Sequence, residues 1–176
     1  MSVILEAILP DDTRKLAKTT LERVRDADLR IATAESCTGG LLAAAMTDVE
    51  GCGHVFDRGF VTYELKAKCD VLGLAEEIVE DNAAVNRAVA LAMAEAALDR
   101  SSADLAIGIT GFAGKCADDQ EEGLVFIGCA ARDRATKVRE EHFGASGRDA
   151  VRQGALRTAF EMIAEAADEL EGRDNG

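Results

Sequence analysis

The 176-residue sequence predicts an α/β domain in which a mixed sheet is covered by helices on both faces. Three observations carry that expectation. Apolar runs of strand length alternate with stretches of helical periodicity along most of the chain. Two of the runs, ADLAIGITG (103–111) and GLVFIGCAA (123–131), show no polar alternation, as expected of strands buried on both faces. Three strands then follow one another without an intervening helix, which makes the sheet mixed.

Element by element, Pro10 followed by Asp11 and Asp12 marks a helix start, and Leu16, Ala17, Leu21 and Val24 recur behind it at helical spacing. LRIATA (29–34) is a short strand feeding a Ser-Cys-Thr-Gly-Gly turn, and LLAAAMTDV (41–49) has high helix propensity. Residues 50–54 form a glycine-rich loop. VFDRGFVTY (55–63) reads as a strand with a bulge at Gly59. LKAKCDVLG (65–73) is a short helix closed by Gly73. Residues 84–100 form an alanine-rich helix with Val85, Val89, Met93 and Ala97 along one stripe. The loop FAGKCADDQEE (112–122) joins the two apolar strands. A turn at 132–134 leads to TKVREEHF (136–143), a polar strand suited to a sheet edge or a hairpin. A long helix over 148–170 closes the chain. With no repeat, low-complexity tract or linker, residues 1–176 read as one domain, with about 1–10 and 171–176 frayed.

Composition excludes several classes of function. The chain is 48% hydrophobic and 30% charged, a globular balance, and its net charge of −13 opposes the phosphate neutralisation on which nucleic-acid affinity depends. No apolar run approaches the roughly 20 residues of a membrane span. The start, MSVILEAILPDD, lacks the basic front of a signal peptide. Five scattered cysteines, odd in number and never spaced C-x-x-C, argue against disulfides and zinc and for a reducing cytoplasm.

The candidate chemistry begins at TAESCTGG (33–40). A nucleophilic serine needs exposure, a base within reach and donors for the oxyanion it creates. Ser36 at the end of a strand, with Gly39 and Gly40 at a helix start, is expected to supply exposure and backbone N–H groups together; capping that helix is the ordinary alternative for such a serine. Cys37 is a rival nucleophile whose commoner role is a small buried hydrophobe. Neither His54 nor His142 has an obvious Asp to orient it, so no Ser-His-Asp triad assembles. A desolvated lysine can replace histidine, and Lys68, five residues past Tyr63 and near Lys66, is the candidate, with a solvated surface lysine the alternative. ITGFAG (109–114) places glycines where open α/β sheets bind ligands. Arg148 and Arg152, at i and i+4 in the opening turns of the last helix, suit a phosphate.

Taken jointly, TAESCTGG, FDRGFVTY with Ala67 and Lys68, ITGFAG, and GRDAVRQGALRTAFEMI resemble the CinA C-terminal domain family, in order and at compatible spacing from about Leu16 to Leu170. The resemblance implies a three-layer α/β/α sandwich with a mixed, mostly parallel sheet. It implies a nicotinamide mononucleotide deamidase with Ser36 as nucleophile and Tyr63 and Lys68 as its partners. Substrate contacts would come from Cys37, Thr38, Gly39, Gly40, Thr110, Gly111, Ala113 and Gly114, and from Arg148 or Arg152. It further implies no metal or organic cofactor, a small-molecule nucleotide as ligand, neither nucleic acid nor membrane as partner, and a homo-oligomer. Departures from the family pattern concentrate after Gly114, where GFAGKCADDQEEGLV replaces a proline- and glycine-rich segment and brings Asp118, Asp119, Glu121 and Glu122. Glu64 and Leu65 replace small polar residues, and Ala83, Ala84, Val85 and Asn86 stand for Gly-Ala-Val-Ser. These departures keep two further readings open: an amidase on a different substrate, and a nucleotide-binding or sensor module without turnover.

Overall fold

A computed structural model describes residues 9–172. Helix α1 (Asp11–Asp26) leads to strand β1 (Ile31–Glu35) and helix α2 (Leu41–Asp48). A 3₁₀ turn (Gly53–Val55) precedes β2 (Phe56–Val61), followed by α3 (Leu65–Leu72), α4 (Glu76–Glu80), a second 3₁₀ segment (Asp81–Ala84) and α5 (Arg87–Asp99). Strands β3 (Leu105–Gly111), β4 (Leu124–Ala131) and β5 (Lys137–His142) come next, and α6 (Arg148–Glu171) closes the chain.

The strands lie in the order β2-β1-β3-β4-β5. β1 is parallel to β2 and to β3, whereas β4 is antiparallel to both β3 and β5. Four strands therefore point one way and β4 alone opposes them, the mixed, mostly parallel sheet that was expected. Leu21, Leu42, Met46, Leu156 and Phe160 of α1, α2 and α6 pack on one face, against Ile31, Ile107, Ile109 and Ile127. Leu72, Val79, Val89 and Met93 of α3, α4 and α5 cover the other, against Ala32, Ala34, Ala106 and Ala130. The result is a three-layer sandwich. The strip of small residues on the second face lets α5 approach unusually closely: a Cβ on Gly108 would stand 2.5 Å from Ala94 N, and one on Gly128 would stand 2.4 Å from Ala90 O. The alanine-rich helix is thus explained by packing on its own sheet.

Three expectations change in detail. The irregularity in β2 lies at Asp57, because Ile31 pairs with Phe56 and Ala32 with Arg58. Gly59 is instead required by crowding, since a Cβ there would meet Thr33 Oγ1 at 2.9 Å. The alanine-rich helix begins at Arg87 rather than 84, because Asn86 caps it by accepting the Val89 N–H at 2.9 Å. Before the cap, Asn82, Ala83 and Ala84 hold φ of 46°, 52° and 63°, a left-handed turn that alanine adopts at a cost. Helix α4 has five residues, too few for periodicity to reveal. The ends expected to fray, about 1–10 and 171–176, lie mostly outside the described residues; within them Leu9 is buried and α6 runs to Glu171.

Candidate active site

Ser36 is the first residue past β1, and its N–H still donates to Ile109 O of β3 at 3.0 Å. The chain then turns. Gly39 N–H donates to Ser36 O at 3.0 Å. Gly39 and Gly40 adopt φ of 63° and 90°, left-handed values that glycine reaches without a Cβ penalty. The capping role open to Ser36 is not taken: Gly40 occupies the cap position of α2 without a side-chain bond. Glu35 satisfies the helix start instead. Its fully buried carboxylate accepts from the N–H groups of Gly40 at 3.1 Å, Leu42 at 3.0 Å and Ala43 at 2.9 Å.

The Ser36 hydroxyl is thereby left to Lys68. Helix α3 carries Lys68 under the turn, where it is 1% exposed, with Nζ 3.1 Å from Ser36 Oγ. Nζ also donates to the main-chain oxygens of Thr62 at 3.0 Å and Tyr63 at 2.9 Å. Burial of the amine pulls the Lys68 pKa below its ordinary 10.5. A neutral amine has two N–H groups and one lone pair. With the two carbonyls as acceptors, the lone pair is left for the Ser36 proton, the geometry a general base needs. The surface-lysine alternative is excluded by this burial. Cys37 is 4% exposed, and burial pushes its thiol up to about 12, so it is no nucleophile near neutral pH.

The histidines lie elsewhere. His54 sits in the turn before β2, at the opposite end of the parallel strands from Ser36. His142 ends β5, three strands from β1, which is roughly 14 Å at ordinary strand spacing. There it pairs with Glu121 at 2.7 Å and Glu140 at 3.3 Å. Tyr63 joins the site by its main chain: its side chain is among the exposed large hydrophobics at 59%, while its carbonyl holds Lys68.

Across the sheet top, a cleft of about 430 Å³ is lined by Thr38, Gly39, Gly40 and Leu41 of the turn and by Asp149 and Arg152 of α6. Arg152 Nε donates to Cys37 O at 2.8 Å, which fixes this guanidinium beside the turn. Arg148 lies one turn earlier, against Gly114: a Cβ there would stand 3.0 Å from Arg148 Nη2. The two arginines thus reach the two glycine turns, one each. The rest of ITGFAG serves the fold. Thr110 Oγ1 donates to Ala84 O at 2.6 Å, and Ala113 is buried in the core. A Cβ on Gly111 would stand 2.7 Å from Val125 Cγ2. None of Thr110, Gly111 and Ala113, the residues expected to contact ligand, lines this cleft. Of the four carboxylates of the 115–122 loop, none lines the cleft, and Glu121 is turned to His142.

Glu35, Thr62 and Asp149 also stand at the site, beyond the residues expected from the sequence. Glu35 carried a signal: an acid ending an apolar strand just before a helix whose Gly-Gly start cannot cap itself. Thr62 and Asp149 carried none, because a main-chain acceptor and a cleft wall depend on register.

The family model for the CinA C-terminal domain matches residues 13–167. A CinA-like protein of Syntrophobacter fumaroxidans is 41% identical over 150 residues, covering 84% of this chain and 35% of that protein. One from Akkermansia muciniphila is 43% identical over 125 residues, covering 70% of this chain and 30% of that protein. The chain thus spans about a third of the length of these relatives. Among solved structures, the competence/damage inducible protein CihA from Agrobacterium tumefaciens superposes with a TM-score of 0.86 at 39% identity, over 94% of this chain and 99% of that one. A CinA superfamily protein from Escherichia coli gives 0.80 at 31% identity, over 93% and 97%. With a family match across residues 13–167 and relatives of this family above 30% identity over most of its length, the chain belongs to the CinA C-terminal domain family.

Proposed function

We propose that this chain is an amidohydrolase that converts nicotinamide mononucleotide and water into nicotinate mononucleotide and ammonia. The observation that carries the reading is the contact between Ser36 Oγ and Lys68 Nζ at 3.1 Å, buried and with no ion pair to Lys68 among the described residues. Neutral Lys68 takes the hydroxyl proton as Ser36 Oγ bonds to the carboxamide carbon, whose oxygen becomes an oxyanion. The Lys68 ammonium returns that proton to the departing nitrogen, and ammonia leaves an ester on Ser36. Water attacks the ester carbon as Lys68 takes one of its protons, the Lys68 ammonium returns that proton to Ser36 Oγ as the Oγ–carbon bond breaks, and the acid released loses its proton to solvent to give the carboxylate. Tyr63 orients Lys68 through its carbonyl. Arg148 and Arg152 suit the nucleotide phosphate, with the cleft beside Gly39 and Gly40 receiving that end.

A second reading, a nucleotide-binding or sensor module without turnover, is favoured by Asp149 inside the cleft and by the altered segment after Gly114. An amidase acting on a different substrate fits the same altered loop. The family resemblance adds a cytoplasmic setting and a homo-oligomer, to be tested by sedimentation. The deciding assay follows ammonia and nicotinate mononucleotide from the nucleotide, comparing wild type with Ser36→Ala and Lys68→Ala. Loss of at least about a thousandfold in both variants is expected. A folded wild type that binds the nucleotide without releasing ammonia supports the sensor reading instead.

A further inference from the structure

An oxyanion at Ser36 needs N–H donors, and the turn allows a complete account of where its N–H groups go. From Ser36 to Ala44, the N–H of Ser36 is taken by Ile109 O, that of Gly39 by Ser36 O, that of Leu41 by Thr38 O and that of Ala44 by Gly40 O. Those of Gly40, Leu42 and Ala43 are taken by the Glu35 carboxylate. Among the described residues, only the N–H groups of Cys37 and Thr38 have no acceptor in this stretch. They directly follow the nucleophile, where a donor can reach the oxygen of an acyl group bonded to Ser36 Oγ.

Glu35 determines this outcome. It is fully buried at the end of β1, has no ion-pair partner among the described residues, and spends its oxygens on the N–H groups of Gly40, Leu42 and Ala43. A carboxylate there satisfies the start of α2, so attraction of an anion to the adjoining cleft falls to Arg152 rather than to the helix end. It also fastens the first turn of α2 to the end of β1, with the Ser36–Gly39 turn spanning the gap. Thr38, 2% exposed and lining the cleft, has an Oγ1 without a hydrogen-bond partner, so the turn keeps unused polar capacity where a ligand enters.

We propose that Glu35 is the positioning residue of the site: it holds the turn so that the N–H groups of Cys37 and Thr38 form the oxyanion hole. This rests on Ser36 being the nucleophile, but not on the identity of the substrate. The test therefore uses probes that react with serine without nucleotide recognition. A fluorophosphonate should label Ser36 in the wild type and label Glu35→Gln at least about tenfold more slowly, the order of effect of a misplaced oxyanion donor. With nucleotide substrate, kcat should fall by a similar factor with KM unchanged. A folded Glu35→Gln labelled at the wild-type rate overturns the assignment, because a purely structural role lowers only the unfolding midpoint.

Should that variant not fold, the wild type supplies the second measurement. A boronic acid bonded to Ser36 should shift the amide proton resonances of Cys37 and Thr38 and leave those of Gly40, Leu42 and Ala43 in place. Movement of the latter three with Cys37 and Thr38 unmoved overturns the proposal. Probe labelling without nucleotide turnover removes the substrate and leaves the oxyanion hole. Failure of both probes at Ser36 overturns the nucleophile and the oxyanion hole together.

Discussion

Lys68 pays the cost of burial in its proton affinity, and that cost is measurable in two ways. The folded amine holds its proton less tightly than the unfolded chain, whose lysine has the ordinary pKa of 10.5. Between the lowered folded value and 10.5 the unfolded state binds more protons, so stability rises with pH across that window. Below the folded value the penalty stands in full. Denaturant titrations over this range should show wild type gaining stability relative to Lys68→Met as pH rises; parallel curves would contradict a depressed lysine. For activity, kcat/KM should rise with an apparent pKa below 10.5. Tyr63→Phe keeps the carbonyl that holds Lys68 and is expected to retain most of the turnover. A fall of about 10²–10⁴-fold, the size positioned proton transfer contributes, would bring the phenol into the reaction. At this scale the contact between Ser36 and Lys68 was legible because a strand-end serine before a Gly-Gly turn and a lysine in the helix after the next strand leave residue-type signals in a recognisable pattern. The main-chain role of Tyr63 and the packing role of Thr110 were not, because both depend on which atoms of a residue the register presents.

Elements were legible in proportion to their pattern. Buried strands β3 and β4, the paired starts at Pro10 and Arg148, and the stop at Gly73 follow from apolar runs, caps and a left-handed glycine at φ 71°. The left-handed turn at 82–84 and the five-residue α4 have no such signature. Why an alanine-rich helix should lie here emerges only from its contact with β3 and β4. Gly108→Ala and Gly128→Ala each insert a methyl into α5 backbone and should cost about 1–3 kcal/mol, read as a lowered unfolding midpoint. An unchanged midpoint would mean that α5 shifts freely. The loop between β3 and β4 is tied to β5 by His142, whose pKa Glu121, then Glu140, raises above 6.5. This contact stabilises most below pH 6.5 and is lost as pH rises through the folded value. An NMR titration of the His142 ring should give a midpoint above 6.5, and Glu121→Gln should lower it. A midpoint indifferent to that substitution would remove Glu121 as the tether.

For the whole molecule, the sheet divides the chemistry between its two faces. Lys68 reaches Ser36 from the side of α3, while Arg152 and the cleft lie on the side of α2 and α6. Under the proposed function, a ligand that crosses the top of β1 meets the Lys68 amine at one end and the Arg152 guanidinium at the other. The net charge of −13 makes that guanidinium a local exception and argues against polyanions as partners. No helix among the described residues is long and apolar enough to cross a membrane. The three layers and the strand mixture were legible in the alternation of elements, whereas the division of labour between faces required the register of β1 with β2 and β3. The proposed chemistry passes through an acyl group on Ser36, formed with Lys68 as base. Rapid quenching of wild type during turnover, followed by mass spectrometry of the peptide carrying Ser36, would detect it. An acyl adduct on Ser36, absent from Ser36→Ala, is the expected result. Turnover without an adduct, and undiminished in Ser36→Ala, would contradict it.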